Sequence, residues 1–355
     1  MKKIKSIIAL LLVLMLVFSL TGCHKQNEIA VTVGDMEFTS AMYSYALLTA
    51  DGEAQELVLT QLGIDASSTD AANVNFYSQA IEGVAYVDWV ENRAVELIKE
   101  YAAYMTLCQQ NNITLDKDAT AEAEYYAQSG YSSNEDLFKN NGIGLETYTK
   151  WYKLQYYVEK YFEFLYGKNG SKAVAEDEVK KQFTDSYRVV LYFEEDITDL
   201  KDNDLAKVKG KMEDYKKTLE SKKEADIVAM YNEVYELTEE NAATTGYSPA
   251  EKLSDCVNIL SESDVSFWDD IKDLKANETK LWEDTENDKK YLCLIHIVDP
   301  LSDSKYLDNK DLSIRWELKN EEYTAEMETY AKTLTAETHK YAMSAFKVKN
   351  IYYGK

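Results

Sequence analysis

The chain has 355 residues, with 63 acidic against 39 basic side chains, a formal charge of −24 at pH 7, 45% hydrophobic residues, 28 Tyr and 10 Phe. Negative charge on that scale is repelled by phosphate backbones and by anionic lipid surfaces, so nucleic acid is excluded as a natural partner. The apolar and aromatic content suffices for packed cores, and a length above about 300 residues predicts two domains, or one domain interrupted by another.

Met1, Lys2, Lys3, Ile4 and Lys5 precede an uninterrupted apolar run over 7–18, and Leu20, Thr21 and Gly22 lead to Cys23. A basic start, a short apolar core and a small-residue exit make a secretory leader, and the run falls short of the roughly 20 residues that a membrane-spanning helix needs. With cysteine after Leu-Thr-Gly, the segment looks like a bacterial lipoprotein signal. Residues 1–22 are then the signal peptide, Cys23 the lipidated mature N-terminus, and 23–28 a tether on the extracytoplasmic face of a bacterial cell membrane. Removing 22 of 355 residues leaves 333, and losing three lysines takes the charge from −24 to −27.

Cys108, Cys256 and Cys293 are an odd number with no CxxC or metal-ligand spacing, and their apolar neighbours predict buried free thiols. His24, His296 and His339 are far apart, and HExxH, GxSxG, GxxxxGK[ST] and GxGxxG are all missing. Metal, nucleotide and common hydrolase chemistry therefore have no motif here, and no metal or cofactor is expected.

Alternation at Ile29, Val31 and Val33, a Gly34-Asp35 turn and a second alternating stretch over 36–38 predict a β-hairpin. Thr39 or Ser40 caps a following helix carrying Tyr43 and Tyr45, and the small polar residues over 50–78 read as loop. Apolar residues at three- and four-residue spacing, without proline, predict a long helix over 79–110 ended by Asn111-Asn112. A further helix from about Leu115 is closed by Gly130, and a short one reaches Lys139. The next helix, 145–166, is aromatic on nearly every side, with Tyr148, Trp151, Tyr152, Tyr156 and Tyr161 among its rings. Such a helix must be covered on more than one side or must bind something.

The hairpin V-x-V-G-D-x-x-x-T, then "CQQNNITLDKD", "YSSNEDLFKNNGIGLETYTKWY" and "AEDEVKKQFTDSY", follow an order that resembles the N-terminal chaperone region of the SurA and PrsA foldases. Joined to a lipobox, the resemblance covers most of the mature chain. It implies an α+β, mainly helical fold: a SurA-like helical chaperone domain completed by the C-terminal helix, with an inserted parvulin-like α/β domain. The implied bounds are 29–170 for the chaperone region, 171–300 for the parvulin-like domain and 301–355 for the returning C-terminal helix.

In the second domain, strands are predicted at 187–193, 280–282 and 291–298, with one or two charged helices over 204–239 and a short helix over 265–274. Active parvulins set a histidine in the first strand and another early in the last. By the resemblance these positions are Leu191 and Cys293 here, and His296 stands at an odd offset from Cys293, on the other face of its strand. The resemblance therefore implies a degenerate isomerase domain. A last helix over 311–346 would cover the aromatic helix, and 348–353 would add a strand to the first hairpin.

The expected function is a membrane-anchored extracytoplasmic chaperone that binds exported unfolded polypeptides without isomerising them. Tyr148, Trp151, Tyr152, Tyr156 and Tyr161 are the candidate client contacts, and core packing is the competing explanation for each. An acidic rim would favour basic clients. Two alternatives stand: an active peptidyl-prolyl isomerase with a site rearranged around Tyr192, Cys293 and His296, and a solute-binding lipoprotein. The long helices of 79–166, without intervening strands, count against the last. The sequence leaves the oligomeric state open between monomer and homodimer.

Overall fold

The computed structural model describes residues 26–238, 240–242 and 246–354. The expected signal peptide and Cys23 lie outside the described residues. The chain divides into two compact units: Tyr166–Leu318 is one, and the residues before and after it form the other. The architecture is α+β and mainly helical, with small antiparallel sheets. Among the described residues no helix is long and apolar enough to cross a membrane.

The first unit opens with β1 (Ile29–Val33) and β2 (Met36–Thr39), joined through Gly34 at φ +58°, a region that L side chains rarely adopt. The Thr39 hydroxyl accepts the N–H of Met42 and caps α1 (Ser40–Leu62). This helix runs well into the stretch expected to be loop from residue 50 and stops at Gly63, φ +69°. Ala50, Ala54 and Val58 continue its buried stripe, and burial of that stripe outweighs the polar residues between them. The carboxylate of buried Asp51 accepts the Tyr86 hydroxyl at 2.9 Å, the Gln55 amide at 2.8 Å and the Tyr353 hydroxyl.

The helix expected from residue 79 begins later. Ala80–Ile81 (β3) and Val84–Ala85 (β4) form a two-residue hairpin in which Glu82 and Gly83 both have positive φ, 51° and 83°. That primed turn fits the strand twist and cannot start a helix. α2 (Tyr86–Gln110) then buries Tyr86, Val90, Ala94, Ile98 and Ala102, one residue every four, against the small residues of α1. α3 (Lys117–Ser133) passes through Gly130 instead of ending there. A Cβ at that position would sit 2.8 Å from the Tyr148 hydroxyl, so the glycine serves close approach of a ring. α4 (Glu135–Asn140) and α5 (Leu145–Tyr166) complete the N-terminal part.

In the second unit, α6 (Glu176–Ser186) leads into β5 (Arg188–Asp196), followed by α7 (Asp202–Glu220), α8 (Glu224–Val234), β6 (Asn258–Leu260), α9 (Trp268–Ile271), β7 (Thr279–Glu286), β8 (Lys289–Val298) and α10 (Ser304–Asp308). The four strands lie in the order β6-β5-β8-β7, all antiparallel. One face of this sheet packs Val190, Ile295 and Ile297 on Trp268 and Ile271. On the other face Phe193 meets the rings of Tyr215, Tyr231 and Tyr235 from α7 and the α8 end. Arg315, on α11 (Asp311–Thr333), is fully buried; it binds Asp311 at 2.9 Å, donates to the Val174 carbonyl at 2.9 Å and pairs with Glu176.

α11 ends at Thr333, not at residue 346 as expected. In the first unit its Tyr323 donates to the Val158 carbonyl at 2.8 Å and sets its ring edge-on to Phe162 at 5.3 Å. β9 (Ala336–Thr338) follows and pairs with β1, giving the order β2-β1-β9. The third strand is thus Ala336–Thr338, and 348–353 does not supply it: once β9 holds the free side of β1, Val348–Asn350 forms a 3-10 turn. The short α12 (Lys340–Met343) lies between.

Candidate functional site

The aromatic residues of α5 divide by what surrounds them. Trp151 stacks on Tyr45 at 5.3 Å and meets Tyr101 edge-on at 5.0 Å, and its indole N–H is buried with no hydrogen-bond partner among the described residues. Tyr148 packs at 4.6 Å from Phe138 and at 5.9 Å from Tyr45, and Tyr161 is buried beside Tyr323. Tyr161 is a core residue, and Trp151 and Tyr148 are partly buried and pack against the core. Tyr152 and Tyr156 are half-buried, 6.3 Å apart, one helical turn along an outer stripe. Tyr126 of α3, half exposed, and Tyr125, at 70% exposure, stand edge to face with each other and were not singled out in the sequence.

A concavity that combines apolar and charged groups lies elsewhere in this unit, a groove of about 520 Å³. One wall is a stripe of α2: Val87, Glu91 and Val95 at four-residue spacing, with Asn92 beside them. The other is the C-terminal segment, with Thr338, Met343 and Phe346, and the buried ring of Tyr43 lies at the base. Burial holds the Tyr43 phenol well above its ordinary range, so it stays neutral. Lys340, Lys347 and Lys349 rim the groove, exposed. The alternation of lysine with apolar residues in K-Y-A-M-S-A-F-K-V-K was the signal for it in the sequence, and the expectation of an uninterrupted helix there concealed it.

The groove also adjoins a strand edge. His339 donates its N–H to the Ala30 carbonyl at 2.8 Å, so in this antiparallel ladder Glu337 turns its backbone groups toward β1. Ala336 and Thr338 turn theirs outward, to the edge of β9 that carries no further strand among the described residues.

In the second unit the sheet register separates the residues carried over from the parvulin pattern. Leu191 lies opposite His296, and Cys293 lies opposite Glu194. Directly opposed residues share a face, so Leu191 and Cys293 point to opposite sides of the sheet and cannot form one site. A site joining Tyr192, Cys293 and His296 fails for the same reason. Tyr192 and Cys293 do meet, with the hydroxyl 3.4 Å from Sγ and 2.8 Å from a Glu194 carboxylate oxygen. Burial raises the thiol and, with its two acceptors, the phenol, so neither is a ready nucleophile or base. His296 is 4% exposed, bonds Thr279 at 2.8 Å through Nδ1, and is pushed down to about 4 by burial and then by the Lys222 charge. Phe267 stacks on Tyr192 at 5.0 Å and meets Trp282 at 5.7 Å, closing an aromatic cluster around the thiol. Cys108 and Cys256 are buried and unbridged, with their thiols pushed up to about 11 and 12 by burial. Among the described residues no cluster of His, Cys, Asp and Glu could hold a metal ion.

Compared with known proteins, the chain matches no family model and no curated protein. Among solved structures it is similar to the foldase protein PrsA of Lactococcus lactis, at 11% identity and a TM-score of 0.38, with 90% of this chain and 97% of that one covered. A second likeness is to foldase protein PrsA of Streptococcus pneumoniae, at 12% identity and a TM-score of 0.28, with 72% and 89% covered. Both are of the family whose order of motifs the sequence resembles.

Proposed function

We propose that this chain is a polypeptide-binding chaperone, held by a lipid on Cys23 at the outer face of a bacterial membrane, that engages exported unfolded chains without isomerising their prolyl bonds. The observation that carries this reading is the groove of the first unit: an apolar floor of Val87, Val95, Met343 and Phe346, next to a strand edge with outward-facing backbone groups. A binder of unfolded chains needs such a combination, because main-chain groups give affinity without sequence preference and an apolar floor takes whatever side chain is presented.

The second unit supports the negative half of the reading. Its sheet pairs a leucine with the one strand histidine, and its thiol and phenol are held neutral on the other face. Prolyl rotation needs stabilisation of the twisted amide in an apolar pocket, and the aromatic side chains of Tyr192, Phe267 and Trp282 fill that face with one another.

The test has two arms on the same preparation. Light scattering of an unfolded client should be suppressed at stoichiometric amounts of the chain, while an X-Pro peptide should isomerise at its uncatalysed rate. Aggregation that proceeds unaltered would reject the chaperone reading. Isomerisation that accelerates with protein concentration, and that Cys293→Ser or Tyr192→Phe reduces, would reject the non-catalytic one.

A further inference from the structure

The groove has the opposite charge to the rest of the molecule. In a chain with 63 acidic and 39 basic residues, its lining holds three lysines, Lys340, Lys347 and Lys349, against one carboxylate, Glu91. Some lysines elsewhere are taken up locally, as in Lys153 with Glu124 at 2.6 Å or Lys168 with Asp308 at 2.7 Å. Others, such as Lys201 and Lys216, carry no ion pair among the described residues, so what sets the groove apart is the grouping of three lysines in one lining. The three groove lysines carry no ion pair among the described residues, and neither does Glu91. Burial is not the reason, since all three lysines are exposed and could reach a partner if one were adjacent. A cluster of like charge that folding leaves uncompensated costs self-repulsion, and an anionic occupant would relieve it.

We infer that this groove takes an extended acidic segment of polypeptide, its apolar side chains on Val87, Val95, Met343 and Phe346 and its carboxylates on Lys340, Lys347 and Lys349. This deepens the chaperone reading and rests on it: it names the clients' chemistry. It also reverses the expectation of basic clients, because the charge that a client meets is that of the groove and not of the whole surface. The stripe from Val87 to Val95 spans eight helical steps, about 12 Å, which four extended residues cover; a peptide of about six is sufficient. Lys2, Lys3 and Lys5 give the chain's own leader the wrong sign for this site.

The experiment is fluorescence anisotropy with the whole chain and three labelled peptides of equal length, in which valine alternates with Glu, Gln or Lys. The Glu peptide should bind roughly tenfold more tightly than the Gln peptide, the Lys peptide should not bind, and raising the salt should erase the difference. The triple variant K340E/K347E/K349E should lose the Glu peptide and gain the Lys peptide while keeping the unfolding midpoint of the parent, since these side chains are exposed and unpaired. Equal binding of the Glu and Lys peptides, or Glu binding unchanged in the triple variant, would overturn the assignment. So would a doubled mass in solution that the triple variant abolishes, which would make a second acidic copy the occupant. Aggregation suppression measured in parallel separates the two proposals: suppression that persists without peptide selectivity leaves a chaperone with another client site, and selectivity without suppression leaves a peptide binder that is not a chaperone.

Discussion

His296 is the residue whose burial is most directly measurable. An unfolded histidine titrates near 6.5, whereas in the fold burial and the Lys222 charge push this one down to about 4. Between these values the unfolded chain binds more protons than the folded one, so stability is fully present above pH 6.5 and falls as the pH drops toward 4, by roughly 3 kcal/mol. Urea unfolding of the parent and of His296→Asn at pH 7 and at pH 4.5 should show a smaller pH dependence in the variant; equal slopes would mean that this histidine is hydrated. The aromatic side chains of α5 provide a second comparison. Trp151→Ala should cost about 3 kcal/mol, the lower end for a large aromatic side chain, since it is partly buried against the core, and Tyr152→Ala less than half of that. Chemical denaturation gives both numbers, and similar losses at the two positions would mean that Tyr152 is as enclosed as Trp151. Arg315 is a third such residue, with its guanidinium enclosed by Asp311, Glu176 and the Val174 carbonyl. Arg315→Ala should destabilise by about 3–5 kcal/mol by stranding Asp311, while Arg315→Met with Asp311→Leu should recover most of it.

At the scale of elements, the short segments decided more than the long ones. The four-residue stripe of α2 was visible in the sequence and α1 only at its capped start, and the ends of both were set by turns: Gly63 for α1 and the Glu82-Gly83 pair for the start of α2. A dipeptide such as Glu-Gly is a weaker hairpin signal than Asn-Gly, and the apolar residues on either side of it continue the helical spacing. Gly83→Ala, at φ +83°, should cost about 1 kcal/mol or more and shift the denaturation midpoint without changing its slope. An unchanged midpoint would mean that the little hairpin contributes nothing to stability. At β9 no glycine or proline marks the change from helix to strand; only the unpaired side of β1 requires it. Glycine 130 misled in the other direction, since it reads as a stop and is a contact.

At the scale of the molecule, the chain leaves the first unit after Leu165 and returns to it at Lys319. Tyr323 on Phe162 holds the two helices that carry these ends side by side within the first unit. A chain in which a short Gly/Ser linker joins Leu165 to Lys319 should therefore unfold cooperatively and retain binding of the acidic peptide. Loss of cooperative unfolding in that chain would mean that the first unit depends on residues 166–318. By itself the sequence determined what is additive along the chain: the charge excess, the hairpin, the helical stripes, the most apolar strand and the absence of nucleotide and metal motifs. It also carried the order of motifs from which the foldase resemblance and the mainly helical α+β class follow. Tertiary structure alone decided what depends on pairing: which strand completes the first sheet, that Leu191 faces His296 while Cys293 faces away, and that Tyr161 is core while Tyr125 is not. The same holds for the basic groove, whose two walls are formed by residues 87–95 and 338–349. Charge and periodicity are properties of neighbours in the chain, but register and enclosure are properties of residues far apart in it, and closing such loops depends on the whole core.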